Sequence, residues 1–270
     1  MNITFVGGGN MARAIVGGLL NKGFAPEAIQ VVEVDPEARE RLQRDLGVRC
    51  FASPAQAAPF SDVIVMAVKP QQMHAAAGQV APALSGQLVV SIAAGTRLAD
   101  LSRWLGGHQL LVRCMPNTPA LIGAGVTAVY AAPGVSEEQR ARAVQVLEAV
   151  GMVLWVDDEG LLDPVTAVSG SGPAYVYYFI EAMQQAATEL GLSPEQARTL
   201  SLQTFVGAAR LAAASPDPVS VLRERVTSKG GTTEAALASL AADCVREAIV
   251  RAIRAASERG RQLGEELGRD

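Results

Sequence analysis

A glycine loop beginning at Gly7 limits the folds open to this chain. The stretch "ITFVGGGNMARAIVGGLL" places Gly7, Gly9 and Ala12 in a G-x-G-x-x-A pattern between a β-branched run and an amphipathic helical run. In that context the pattern is a dinucleotide-binding fingerprint. Gly7 permits the tight turn, Gly9 lets a pyrophosphate approach the backbone, and Ala12 keeps helix and sheet close. The helix behind the loop offers unpaired N–H groups and the positive end of its dipole to phosphates.

The sequence downstream continues the same alternation to about residue 155. Short β-branched runs, "IQVVEV", "DVIVMAV", "QLVVSI", "LLVRCM", "VTAVY" and "MVLWV", read as buried parallel strands. Helical patterns over Met11 to Asn21, Pro36 to Leu46, Gln71 to Val80 and Ser136 to Val150 separate several of them. Strand and helix in alternation mean βαβ units and a doubly wound, Rossmann-like α/β sheet. After Asp157 the strand signal stops. Long helical stretches follow, over Ser171 to Leu190, Ser193 to Ala214, Pro218 to Val226 and Thr232 to about Leu267, with "GLSPE", "SPDP" and "TSKGG" as the breaks. The expected division is a dinucleotide-binding domain over 1–158 and an all-α substrate-binding and dimerisation domain over 159–270. Its alanine-rich apolar faces are wider than one small bundle can cover, which points to packing against another subunit.

Composition narrows the partners. With 49% hydrophobic and 19% charged residues the chain has the makings of a core, and a net charge of −4 gives no general nucleic-acid or anionic-membrane surface. The opening "MNITFVGGGN" has no basic n-region or spanning apolar run, so a cytoplasmic location is expected. Cys50, Cys114 and Cys244 are odd in number and widely spaced, which argues against both a disulfide framework and a zinc site; no metal is expected.

The first loop assigns Gly7, Gly8, Gly9, Asn10, Met11 and Ala12 to the cofactor. Other strand ends face the same crevice, since ligands of such sheets sit outside the carboxyl ends of the strands. At the end of the second run, Glu33 and Asp35 compete with Arg39: an acidic residue there takes a ribose 2′-OH, an arginine a 2′-phosphate. Asp35 reads equally well as the cap of the helix that starts at Pro36. "VMAVKPQQ" brings Ala67, Val68, Lys69 and Pro70, and "SIAAGT" brings Ala93, Ala94 and Gly95, small enough to admit a flat ring. In "RCMPNTPALIGAG", Asn117 and Thr118 either face the nicotinamide end or satisfy local backbone in a rigid turn.

The catalytic inventory informs by what it lacks. Reducing a ketone leaves an alkoxide, which calls for a positioned His or Lys acid. His74 and His108 read as surface polar residues, and the connecting helix "SGSGPAYVYYFIEAMQQAATELG" holds neither His nor Lys. A cyclic imine needs no such acid, because its nitrogen can be protonated before hydride arrives. Hydroxyl groups that position it suffice.

The segments "GGGNMARAI", "AVKP", "SIAAG", "MPNTPA", "SGSGPAYVYYFIEAM" and "SKGGTT", in this order, resemble pyrroline-5-carboxylate reductases from Met1 to about Glu258. The resemblance implies hydride transfer from NADPH, with NADH possible, to the C=N bond of 1-pyrroline-5-carboxylate, the last step of proline synthesis. It implies a homodimer interlocked through the helical domain, and a decameric ring of dimers. It places the substrate at Ser228, Gly230, Gly231, Thr232 and Thr233, where backbone N–H groups and the serine hydroxyl hold the carboxylate and Thr233 hydrogen-bonds the ring nitrogen. Glu159 matches a carboxylate near the substrate, Ser53 a contact to the adenosine ribose or phosphate, and Arg225 a cofactor-contacting position of different residue type. Lys229 stands where the family has proline. A hydroxyacid dehydrogenase, a non-catalytic nucleotide sensor and a reductase of another cyclic imine are the alternatives.

Overall fold

The computed structural model describes residues 1–269. Eight strands form one sheet in the order β3-β2-β1-β4-β5-β6-β7-β8. They are β1 (Ile3–Val6), β2 (Ile29–Val32), β3 (Arg49–Phe51), β4 (Val63–Met66), β5 (Leu88–Ser91), β6 (Leu111–Met115), β7 (Gly125–Ala131) and β8 (Gly151–Trp155). The helices are α1 (Asn10–Asn21), α2 (Pro36–Leu46), α3 (Pro54–Ala57), α4 (Met73–Val80), α5 (Leu98–Trp104), α6 (Glu137–Leu147) and α7 (Leu162–Val165). They continue with α8 (Gly172–Glu189), α9 (Pro194–Ala214), α10 (Val219–Arg225), α11 (Thr232–Ala242) and α12 (Val245–Leu267).

Every residue of β1, β2, β4 and β5 is buried. Their near-continuous apolar runs follow from that, since helices cover both faces of a parallel sheet. Ile3, Phe5, Ile15, Val16 and Leu19 share one core cluster, while Ile64, Met66, Met73, Val89 and Leu101 belong to a second. Asp35 accepts the Ala38 N–H at 2.8 Å and Gly47 closes the same helix at φ +69, so α2 has the bounds its Asp-Pro start and glycine stop predict.

Three expectations change. The "VTAVY" strand is antiparallel to β6 rather than parallel, because the nine residues 116–124 are too few for a crossover; β7 and β8 then pair in parallel. Four short elements go unread in the sequence, the three-residue edge strand β3 and the helices α3, α5 and α7. The terminal helical stretch is two helices, parted at Cys244, which adopts a left-handed φ of 51°.

The chain divides into two compact units, one of Met1–Ser171 together with the chain from Arg254 onward, the other Gly172–Ile253. In the first unit the end of α12 lies against the loop after β5: a Cβ on Gly95 would stand 3.2 Å from Leu267 Cδ1. In the second, α8 and α9 form a hairpin whose turn uses Gly191 at φ +96 and a capping box between Ser193 and Gln196. Among the described residues no helix is long and apolar enough to cross a membrane.

Candidate functional site

The carboxyl ends of β1, β2, β4 and β5 lie on one edge of the sheet, and strand order reverses between β1 and β4. A crevice at such a reversal is the ligand site of open α/β sheets. Gly7 turns the chain there at φ +102, and a Cβ on it would come within 2.8 Å of the carbonyl oxygen of Ala67, just past β4. A Cβ on Gly8 would collide with Leu42 Cδ1. Gly9 is different: a Cβ there meets no protein atom within 4 Å, on ordinary extended backbone at φ −68. Nothing inside the protein requires glycine at that position, and the open space suits a pyrophosphate.

The amides behind Gly9 complete the fit. Those of Asn10, Met11 and Ala12 take no hydrogen bond among the described residues, and the first turn of α1 holds no acidic side chain. They present orphan donors and the positive end of the helix dipole to incoming phosphates. Ala12 is buried and seats α1 on the sheet. A nicotinamide dinucleotide held here supplies a hydride; these residues would bind its phosphates.

Around the crevice the remaining cofactor candidates divide by what they already hold. Glu33 Oε2 accepts the Gly8 N–H at 3.0 Å and Oε1 accepts the Asp35 N–H at 3.0 Å. Asp35 caps α2, the second of its two readings. Ser53 precedes α3 but its hydroxyl makes no capping bond. Ala67 and Val68 border Gly7, while Lys69 is exposed and joins no ion pair among the described residues, with Pro70 opening a short 3-10 turn behind it. Ala93, Ala94 and Gly95 follow β5, and Gly95 turns at φ +75 under the end of α12. Asn117 bridges instead of projecting: its Oδ1 accepts the Val126 N–H at 2.9 Å and its Nδ2 donates to the Ser169 carbonyl at 3.2 Å.

A buried ion cluster escapes the sequence reading. Arg113, 4% exposed in the interior strand β6, donates to Glu159 Oε1 at 3.0 Å and lies 3.5 Å from Asp163 Oδ1. The same Glu159 oxygen accepts the N–H of Leu98, the first residue of α5, at 2.8 Å. Glu159 thus ties β6 to the loop that carries Ala93 to Gly95. An arginine inside an apolar strand was the available signal, since charge is not buried unpaired. Beside it Cys114 is buried and donates to the Ser91 carbonyl, and burial pushes its thiol well above the ordinary range, which keeps it inert.

In the helical unit, Thr227 to Thr233 links α10 to α11. Gly231 N–H donates to the Ser228 carbonyl at 3.0 Å, closing a turn with Gly230 at φ +73 in its third position and Lys229, at negative φ, in its second. That is a type II turn, which needs glycine at Gly230. Glu234 reaches back from the first turn of α11 and accepts the Gly230 N–H at 2.6 Å. No hydrogen bond takes the amides of Thr232, Thr233 and Glu234 among the described residues, and no side chain caps the helix. The loop therefore offers three amides together with the hydroxyls of Ser228, Thr232 and Thr233. Arg225 lies outside this arrangement, paired with Asp217 at 2.5 Å.

A doubly wound sheet with an open phosphate cradle, followed by helices bearing a hydroxyl loop, defines a dinucleotide-dependent oxidoreductase. Residues 2–95 match the family described as NADP oxidoreductase, coenzyme F420-dependent, and residues 159–263 match pyrroline-5-carboxylate reductase dimerisation. The chain is 46% identical over 267 residues to the pyrroline-5-carboxylate reductase of Pseudomonas aeruginosa, covering 98% of both. Its fold superposes on the solved pyrroline-5-carboxylate reductase of Coxiella burnetii with a TM-score of 0.92 at 41% identity, over 97% of this chain and 98% of that one. The Plasmodium falciparum pyrroline carboxylate reductase, solved with NADP bound, gives 0.88 at 29% identity, over 98% of each. The chain belongs to the pyrroline-5-carboxylate reductase family.

Proposed function

We propose that the protein reduces 1-pyrroline-5-carboxylate to L-proline with hydride from NADPH or NADH. The observation that carries this reading is the loop heading α11, where three amides without partners among the described residues stand beside three hydroxyls, with no histidine and with Lys229 as the turn's one cation. A carboxylate suits the amides of Thr232, Thr233 and Glu234 and the Ser228 hydroxyl, as anions suit any uncapped helix N-terminus. Gly230 and Gly231 shape the turn that exposes them. The substrate nitrogen carries its proton when hydride reaches the carbon, so a neutral or protonated amine forms and no alkoxide needs quenching. Thr233 then positions the ring through a hydrogen bond to that nitrogen.

The cofactor role falls to Gly7 through Ala12, the ends of β4 and β5, and Ser53, with Glu159 bracing the loop that holds Ala93 to Gly95. Asn117 is the weakest of the set, because its amide already bridges two backbone groups. The helical unit joins two copies, and dimers assemble further into a decameric ring. A cytoplasmic location accompanies the reading, supported by three free cysteines.

Purified protein given 1-pyrroline-5-carboxylate should oxidise NADPH or NADH, each followed separately by loss of the reduced nucleotide, with proline as the product. No oxidation of either would sink the proposal. Oxidation with a 3-hydroxy acid's ketone but not with the imine would move the protein to the dehydrogenases.

A further inference from the structure

NADH and NADPH differ at one group, the 2′ position of the adenosine ribose, which carries a hydroxyl in one and a phosphate in the other. In sheets of this order the residue at the end of the second strand meets that position. Here it is Glu33, and its carboxylate is pinned at both oxygens, Oε2 by the Gly8 N–H at 3.0 Å and Oε1 by the Asp35 N–H at 3.0 Å. Swinging this carboxylate aside for an arriving phosphate would cost both of those charge-assisted hydrogen bonds. Each oxygen keeps a lone pair, so it can still accept from a ribose hydroxyl.

The two cations on this edge are each partly engaged. Arg39 donates from one nitrogen to the carbonyl oxygen of Glu33 at 2.7 Å and to that of Val34 at 3.4 Å, and Arg41 pairs with Glu37 at 3.6 Å. From Glu33 to Arg41 the chain holds Glu33, Asp35, Glu37 and Glu40 against two arginines, so the local field is negative. A phosphate within a few ångströms of a fixed like charge is repelled, while a hydroxyl gains a charge-assisted hydrogen bond.

We infer that Glu33 makes NADH the preferred reductant and discriminates against the 2′-phosphate of NADPH, an inference that rests on the dinucleotide-dependent reaction proposed above. The test is the dissociation constant of each nucleotide, read by fluorescence titration of purified wild-type protein, Glu33→Gln and Glu33→Ser, alongside KM for each with 1-pyrroline-5-carboxylate. Wild-type protein should bind NADH at least tenfold more tightly than NADPH. Glu33→Gln, which removes the charge and keeps the length, should move that ratio at least tenfold towards NADPH, mostly through tighter NADPH binding.

Wild-type protein that binds NADPH as tightly as NADH overturns the inference without any variant, so a misfolded substitution does not shield it. An unmoved ratio in both variants, each with a wild-type melting temperature, overturns Glu33 as the cause. The two proposals separate cleanly. Tight NADH binding with no turnover of the imine defeats the reaction and leaves the discrimination standing; equal turnover with both nucleotides does the reverse.

Discussion

The sheet unit and the helical unit treat apolar surface in opposite ways. Ile3, Phe5, Ile15 and Leu19 of the first are fully buried by their own chain. Across α8 to α11 only Ile180, Ala197 and Ser201 are buried, while Tyr178, Leu200, Leu211 and Val219 are 72%, 56%, 62% and 72% exposed. Burial is worth about 25 cal/mol per Å² of apolar surface, so the helical unit forgoes within one chain what the sheet unit collects. Its match to a dimerisation family supports homo-oligomerisation, and a second copy of the same segment is the cover we propose for that surface. On that proposal the stability of the helical unit depends on protein concentration and that of the sheet unit does not.

The comparison breaks first where the largest effect is expected. Phe5→Ala empties a fully buried site and should cost about 4 kcal/mol in urea unfolding, by the same amount at every protein concentration. The double variant Tyr178→Glu with Leu211→Glu, at exposed positions, should leave that core intact and raise the monomer–dimer dissociation constant at least a hundredfold by sedimentation. Wild-type protein that sediments as a monomer at micromolar concentration, or a charged variant that dimerises normally, would show that these faces are not joined.

What was legible in the sequence follows the same line. Strands buried on both faces announce themselves as apolar runs, and Asp35-Pro36 announces a helix start, because each signal is local. β3 is three residues at the sheet edge with Arg49 exposed, so its pattern is indistinguishable from loop. The break at Cys244 has no glycine or proline to mark it, and "LAADCVREAI" reads as unbroken helix until Cys244 takes a left-handed φ. At the site, Gly7 and Gly9 were readable because a turn and an open approach each need glycine. The link from Arg113 to Glu159 was not, because it spans 46 residues that only the fold brings together.

A smaller effect tests the hydroxyl loop. Thr233→Ala should lose about 2 kcal/mol of transition-state stabilisation in kcat/KM, the worth of a hydrogen bond to a charged group, and leave the unfolding free energy within about 0.5 kcal/mol of wild type on a half-exposed helix start. Steady-state kinetics with varied imine reads the first, thermal unfolding the second. Unchanged kinetics would remove Thr233 from the reaction and leave the amides of α11 as the binding groups.

The smallest effect concerns Lys229, where the resembling family has proline. The turn geometry now gives that difference a physical reading. Lys229 occupies the second position of a type II turn, the position proline favours, and its own N–H takes no hydrogen bond among the described residues. Lys229→Pro should therefore fit without strain and stabilise the loop by about 0.4 to 1 kcal/mol through the unfolded state. Two effects then oppose each other in KM: a better ordered loop lowers it, and loss of an ammonium near the carboxylate site raises it. The net change should be a few-fold at most with kcat preserved, and the ammonium's share should fade in added salt while the ordering share does not. A hundredfold fall in kcat would instead make Lys229 a participant in the chemistry, and the helical unit would then carry a cation at its working end that the hydroxyl reading does not provide for.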